Sequence, residues 1–409
     1  MARERGSVRP PRPNVINEIA HPTRISLSLS IRERAPSRGM RALVECRARI
    51  AYPRAYRRGI KPARRAIRAA AAAARRGAPA VEDENVCDVA IVGAGPGGLA
   101  AALALQRAGL DVRVFEQREE FRPAGVAIFI WPHGLNALKS FDPVSCERVI
   151  EAGAVIDNIA IEQLQPGNTE AEELVKIDVA GWSRRMDLPP QIGITWARLT
   201  NALRAGLKPD TVRLAHRLQD LTDEDGEDGV TLTFEPPRGG GEAPPPVRAR
   251  MCVVGADGRN SRVRELAFGA DEKATVNTYA DPAAPEANVY YALSPNPPPG
   301  ANGAGSFNEL RFSLCDGSGI SLLDVGRGNL DIDGKEGGSG GNPASGGQLM
   351  FGTTRFSEPA MTFETPTARL GHLESLFENT TPLLKAAIAS TEPTAVIQTR
   401  LYERDGASR

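Results

Sequence analysis

Three glycines and one acid carry the first chemistry legible in this chain. Gly93, Gly95 and Gly98 stand at G-x-G-x-x-G spacing within Val89-Ala-Ile-Val-Gly93-Ala-Gly95-Pro-Gly97-Gly98, and Glu116 follows at the end of Asp111-Val-Arg-Val-Phe115. Each glycine meets a different steric demand. The first makes a tight turn, the second lets backbone approach a pyrophosphate, and the third lets helix and strand pack closely. A helix starting there aims unsatisfied N–H groups and the positive end of its dipole at phosphates. Gly109 is placed to end that helix at C′. Glu116 is placed to accept hydrogen bonds from a ribose. Glycine-rich turns are common, so the motif counts only because strand, helix, second strand and acid all fall in order. Together they predict a site for the ADP half of a dinucleotide, without distinguishing NAD from FAD.

A second turn follows far along the chain, at Cys252-Val-Val-Gly-Ala-Asp257-Gly258-Arg-Asn-Ser261-Arg-Val-Arg264. An apolar strand here delivers an acid and a glycine to its C-terminal end, the end that faces the ligand crevice in a doubly wound sheet. Taken alone, the pattern is better read as a plain strand-to-helix turn in which Asp257 caps the helix.

The two turns must be positioned by a large fold. The chain has 409 residues, enough for two domains, with 50 Lys+Arg balanced by 50 Asp+Glu. That balance hides a split: residues 1–80 carry nineteen Arg and one Lys against four Glu, a net +16, leaving −16 for the remainder. The basic segment, rich in Arg, Ala, Pro and Ser, lacks the apolar residues of a core and reads as a disordered presequence over 1–85. Plastid targeting is favoured over mitochondrial, and translation from Met1 or from Met40 would both leave a presequence. Nucleic-acid binding is disfavoured because no stacking aromatics or nucleic-acid fold accompany the arginines. No apolar run reaches signal-peptide or transmembrane length. The cysteines show no CxxC and no metal-ligand spacing, so no metal site is assigned; Cys87 and Cys252 are expected to be core thiols.

Periodicity then predicts elements. Residues 126–140 read as a strand turning into a helix around Asn136, Leu174–Val179 as a short strand, and 196–206 as an amphipathic helix with Leu199, Leu203 and Leu207 at helical spacing. Val212–Leu218, Val230–Phe234 and Arg248–Val254 read as strands. Beyond residue 270, strands at Val289–Leu293, Leu310–Leu314, Ile320–Val325 and Leu349–Gly352 between Gly, Pro and Asn turns suggest an antiparallel sheet. Residues 334–347 read as a flexible insertion, Asp331 and Asp333 do not complete a calcium loop, and Thr367–Phe377 and Pro382–Ala389 read as closing helices. His133 is read as a turn residue near a pocket; His216 on a strand and His372 on a helix are read as surface or packing residues.

The pair of motifs, with Glu116-Gln117-Arg118 and Arg122-Pro-Ala-Gly125 between them, resembles the single-component FAD-dependent aromatic hydroxylases and epoxidases typified by para-hydroxybenzoate hydroxylase and zeaxanthin epoxidase. The resemblance covers residues 87–403. It implies an α/β fold in which a three-layer Rossmann-like FAD-binding domain (86–157 and 187–267) is interleaved with an antiparallel-sheet substrate domain (158–186 and 268–395). It also implies that 396–409 begins a further FAD-binding segment. The cofactor residues implied are Gly93, Gly95, Gly97, Gly98, Glu116, Gln117, Arg122, Gly125, Arg198, Asp257 and Gly258, with Arg122 near the pyrophosphate and ribitol. The implied activity uses NADPH or NADH and O₂ to insert one oxygen into an aromatic or isoprenoid substrate through a flavin hydroperoxide. No catalytic side chain is assigned.

Two departures from that pattern stand out. The family's Arg-x-x-Leu-x-x-x-Leu helix aligns as Trp196-Ala-Arg198-Leu199-Thr-Asn-Ala-Leu203, with Trp in the Arg position and Arg198 on a different helical face. The family's Gly-Asp-Ala-Ala-His motif is not reached before Arg409, so a truncated chain is expected. Two alternatives follow: a catalytically impaired FAD- or ADP-binding remnant, or a reductase or halogenase of the same fold.

Overall fold

In the computed structural model, the residues described are 84–121, 127–164, 170–223, 229–268, 276–278, 288–296, 308–315, 318–327, 347–355, 361–400 and 402–404. The site is organised by a six-stranded sheet built from β1 (Val86–Val92), β2 (Val112–Phe115), β3 (Val212–Arg213), β4 (Leu218–Asp223), β5 (Val230–Phe234) and β6 (Val247–Gly255), in the order β3-β2-β1-β6-β5-β4. The first four strands of that order run parallel, and β5 runs antiparallel to both its neighbours. Apart from Asp88, β1 is apolar on both faces because both are covered, as parallel strands require. One face meets α1 (Pro96–Arg107), whose buried residues are Gly98, Leu99, Ala102 and Leu103. On the other face Ala90 and Val92 join Phe115, Leu232 and Phe234 in a core under the β4–β6 meander. Full burial of one such side chain, Ile91 for example, contributes about 1.5–3 kcal/mol.

The base of this sheet is fastened by Asp88. Its Oδ1 accepts two hydrogen bonds from Arg250, at 3.1 and 2.7 Å, while Oδ2 accepts the Asp111 N–H at 2.9 Å. One buried carboxylate thereby ties β1 to β6 and to the residue preceding β2.

A second, seven-stranded sheet comprises Ile397–Arg400, Asn288–Asn296, Gly347–Arg355, Ser318–Arg327, Glu309–Cys315, Asn158–Leu164 and Ala171–Asp178, in that order. All its pairings are antiparallel except that of Glu309–Cys315 with Asn158–Leu164, which is parallel. The helices Pro366–Leu376 and Pro382–Ala389 cover one face, packing Leu373, Leu384 and Ile388 onto Tyr290, Ile320 and Phe351. In a third, small sheet the wholly buried strand Gln191–Thr195 is flanked by Ala127–Ile130 and Ala154–Ile156. Gly193 in that strand backs directly onto the Asp324 carbonyl of the large sheet.

Several elements differ from the sequence reading. Val212–Leu218 is not one strand: the ladder stops at Arg213, Ala215 adopts φ 58°, and a new strand begins at Leu218. The small Ala side chain tolerates the left-handed conformation, and the bend is held by Ala215 N–H to Arg118 O and His216 N–H to Glu116 O, each 2.8 Å. The strand around Leu174 spans Ala171–Asp178, while Val179 opens the helix Val179–Arg185. His133 lies exposed in the first turn of the helix Pro132–Phe141, since Pro132 at N1 is preorganised for helix. Cys252 is exposed, not a core thiol, because the outer half of β6 leaves Met251 and Cys252 uncovered; Cys87 is buried. Ile397–Arg400, near the start of the segment expected over 396–409, pairs as the edge strand of the large sheet. The expected presequence 1–85, apart from Glu84 and Asn85, and the insertion at 334–347, apart from Gly347, lie outside the described residues. No described helix is long and apolar enough to cross a membrane.

Candidate functional site

The C-terminal ends of β1, β2 and β6 open onto one cleft of about 940 Å³. The G-x-G-x-x-G turn forms its floor. Gly93 has φ +105°, and a Cβ there would overlap the carbonyl oxygen of Ala256 and lie 2.8 Å from the Asp257 nitrogen. A Cβ at Gly98 would overlap the Gly93 carbonyl and meet the Ala256 Cβ at 3.2 Å. The first and third glycines thus permit the two turns to touch each other. Gly95 and Gly97 serve the other side, since nothing approaches within 4 Å of a Cβ at Gly97 and only Trp196 does at Gly95.

α1 begins here with Gly95 as N-cap and Pro96 at N1, and no side chain caps it. Its first N–H groups, which no intrahelical carbonyl can accept, therefore face the cleft with the positive end of the dipole. This is a cradle for a phosphate. The Glu116 carboxylate spans the turn: Oε2 accepts Ala94 N–H at 3.0 Å and Oε1 accepts Arg118 N–H at 3.1 Å. Two backbone donors hold the carboxylate in place, leaving further lone pairs for a ligand's hydroxyls.

Asp257 caps a helix, as the plainer reading of its turn predicts. Its Oδ2 accepts Arg262 N–H at 2.6 Å and Val263 N–H at 3.1 Å, and Oδ1 accepts the Ser261 hydroxyl at 2.6 Å. The carboxylate thus satisfies donors at the start of α3 (Arg262–Phe268). Both Asp257 and Gly258 line the cleft, Gly258 with φ +78° and open space at its Cβ position. Gln117 sits exposed on the rim.

Of the residues expected at the cofactor, Gly93, Gly95, Gly97, Glu116, Gln117, Asp257 and Gly258 line this cleft and Gly98 supports its floor. Arg122 and Gly125 lie outside the described residues. Arg198 is not in the cleft. It is buried, and its Nη1 donates to the Val325 carbonyl at 2.7 Å, turning from α2 (Trp196–Arg204) toward the seven-stranded sheet. Burial lowers its pKa, opposed by the Asp324 carboxylate.

The sequence reading missed the side wall made by Phe121, Thr200, His216, Arg217, Leu218 and Glu235. A usable signal existed, because His216 follows β3, a parallel strand whose C-terminal end must open onto the same crevice. His216 packs on Phe115 and edge-on to Phe234, with ring centroids 5.6 and 4.9 Å away. Its Nδ1 contacts Leu214 O at 2.6 Å. Burial pushes its pKa down, opposed by that hydrogen bond and assisted by Arg213.

The sequence family described as FAD binding domain matches residues 86–290. The chain is similar to 6-hydroxynicotinate 3-monooxygenase of Bordetella bronchiseptica, with 32% identity over 188 residues, covering 45% of this chain and 44% of that protein. It is also similar to FAD-dependent urate hydroxylase of Klebsiella pneumoniae, with 27% identity over 180 residues, covering 44% of this chain and 42% of that protein. The chain therefore spans less than half the length of these curated relatives. Among solved structures, Klebsiella pneumoniae HpxO complexed with FAD and uric acid shares the fold, with a TM-score of 0.56 and 21% identity over 77% of this chain and 68% of that one.

Proposed function

The chain belongs to the FAD-binding domain family, and we propose that it is an FAD-dependent monooxygenase. In this reading it draws electrons from NADPH or NADH and places one oxygen atom of O₂ on an aromatic or alkene substrate. One observation carries the reading: the glycine turn after β1 and the turn at 256–258 after β6 pack against each other and share one cleft. Helix capping accounts for the Asp257 carboxylate, but a bare NAD site does not call for a second turn whose Gly258 opens onto the same cleft.

The residues present fit the ADP end of FAD. A turn kept tight by Gly93 and Gly98 and open to the cleft at Gly95 and Gly97, an uncapped helix N-terminus and a backbone-anchored carboxylate are the groups that end requires. The N–H groups of α1 would hold the pyrophosphate and Glu116 the ribose hydroxyls. Asp257 keeps its carboxylate on α3 and so fixes Gly258 at the cleft wall. When bound, FAD supplies the redox chemistry, and the protein supplies orientation and shielding from water.

The ring substrates in the names of the two curated relatives, urate and 6-hydroxynicotinate, support a small aromatic molecule here, with an isoprenoid alkene as the other class. The arginine-rich composition of residues 1–80 supports import into a plastid. The test is incubation of the FAD-loaded full chain with NADPH, ¹⁸O₂ and panels of phenols and carotenoids. The expected result is an NADPH-dependent product carrying one ¹⁸O atom. NADPH consumption that yields only hydrogen peroxide across both panels would contradict the proposal.

A further inference from the structure

Trp196 lines the cleft at a position that the glycine and acid motifs do not explain. It is the first residue of α2, after Thr195, whose hydroxyl caps the helix by accepting Arg198 N–H at 3.3 Å. A large apolar side chain there gains most by turning inward, yet this one is 39% exposed and borders the cleft. Its Cζ2 lies 3.8 Å from the point a Cβ on Gly95 would occupy. The indole edge therefore forms the wall facing the N-cap of α1. Arg198, the nearby cation on the same helix, is turned away and bonded to Val325 O. What α2 sets against the phosphate cradle is an aromatic surface and not a charge.

We propose that Trp196 is a cofactor-positioning residue whose indole covers the pyrophosphate held at the glycine turn. This rests on the reading of the cleft as a dinucleotide site. With the indole in place, water is excluded from one side of the phosphates, and the N–H bonds from α1 act in a medium of lower dielectric. Its grip is non-ionic, so it adds nothing to the salt dependence of binding.

The test uses ADP, which carries the cradle's ligand without a flavin that would quench tryptophan by energy transfer. The full chain contains three tryptophans, and Trp131→Phe with Trp182→Phe leaves Trp196 as the sole indole. ADP is expected to change Trp196 emission saturably and to protect it from acrylamide quenching, with the dissociation constant found by equilibrium dialysis. Trp196→Ala should weaken ADP binding about tenfold and Trp196→Phe about threefold. Trp196→Arg should restore affinity at low salt and lose it as salt rises. If dialysis shows ADP bound while Trp196 emission and acrylamide access stay unchanged, the inference falls and the cleft's assignment stands. Wild-type affinity in Trp196→Ala overturns it in the same way. A wild-type chain that binds no ADP overturns both.

Discussion

Gly93 and Ala256 are in backbone contact at the floor of the cleft. A Cβ on Gly93 would lie 2.6 Å from the Ala256 carbonyl carbon, and the Ala256 N–H donates to Val92 O at 2.7 Å. Two turns far apart in sequence are thereby locked into one surface, which is why the glycine motif and the Asp257 motif act together.

Gly93→Ala tests that lock. The substitution combines a φ of +105° with overlap on backbone that cannot rotate away. The expected loss is about 2–4 kcal/mol of stability, measured by urea denaturation, together with loss of nucleotide binding. Gly97→Ala meets open space and should cost less than about 1 kcal/mol.

Asp257 should separate capping from ligand contact. Asp257→Ala removes the acceptor of two N–H groups and one hydroxyl at α3, and should cost about 1–2 kcal/mol. Asp257→Asn keeps one acceptor oxygen and should recover part of that loss in thermal unfolding. If cofactor affinity follows stability across both variants, the carboxylate acts through Gly258 and not directly on the ligand.

How far the sequence was legible follows from the same residues. The glycine turn, Glu116 and the Asp257 turn could be read because their constraints are local: a positive φ, a close approach, a helix start. Arg198 could not, because its partner Val325 lies in another sheet and its direction depends on tertiary packing. The bend at Ala215 was hidden because Val-Arg-Leu-Ala-His alternates like a continuous strand, and only the bonds to Arg118 and Glu116 reveal the break. The large sheet was recognised strand by strand from its turns, but the parallel pairing of Glu309–Cys315 with Asn158–Leu164 carries no local signature.

Asp142 predicts an acid-sensitive fold. It accepts from Ser145 N–H and hydroxyl and from Arg107, joining α1 to the helix Pro143–Glu151. Burial alone would raise its pKa, but these hydrogen bonds outweigh it and hold the carboxyl below the ordinary value. The folded pKa is thus below the unfolded one, about 3.9. The stabilisation is complete above the unfolded value and is lost as pH falls through the folded value. Asp142→Asn should lower stability by about 1–3 kcal/mol at pH 7 and flatten its decline below about pH 5. A parallel pH dependence in variant and wild type would assign the decline to other groups.

The thiols should react in a fixed order. Burial pushes the Cys87 thiol up to about 12 and also raises Cys146, and both side chains are buried. Partial burial also raises the Cys252 thiol, but this side chain stands at the surface. Peptide mapping after iodoacetamide at pH 8 should show Cys252 modified, with Cys87 and Cys146 protected until denaturant is added. Early labelling of Cys87 would mean that the base of the six-stranded sheet opens readily.

Titration of the full chain with FAD asks whether this cleft binds the ADP end of the cofactor. Calorimetry with the flavin spectrum as a second readout should give saturable binding of one FAD per chain. Glu116→Gln, which places an amide donor where two backbone N–H groups already point, should weaken binding about tenfold, and Gly93→Ala should abolish it. Absence of FAD binding in the wild-type chain, or unchanged binding in Gly93→Ala, would contradict the account.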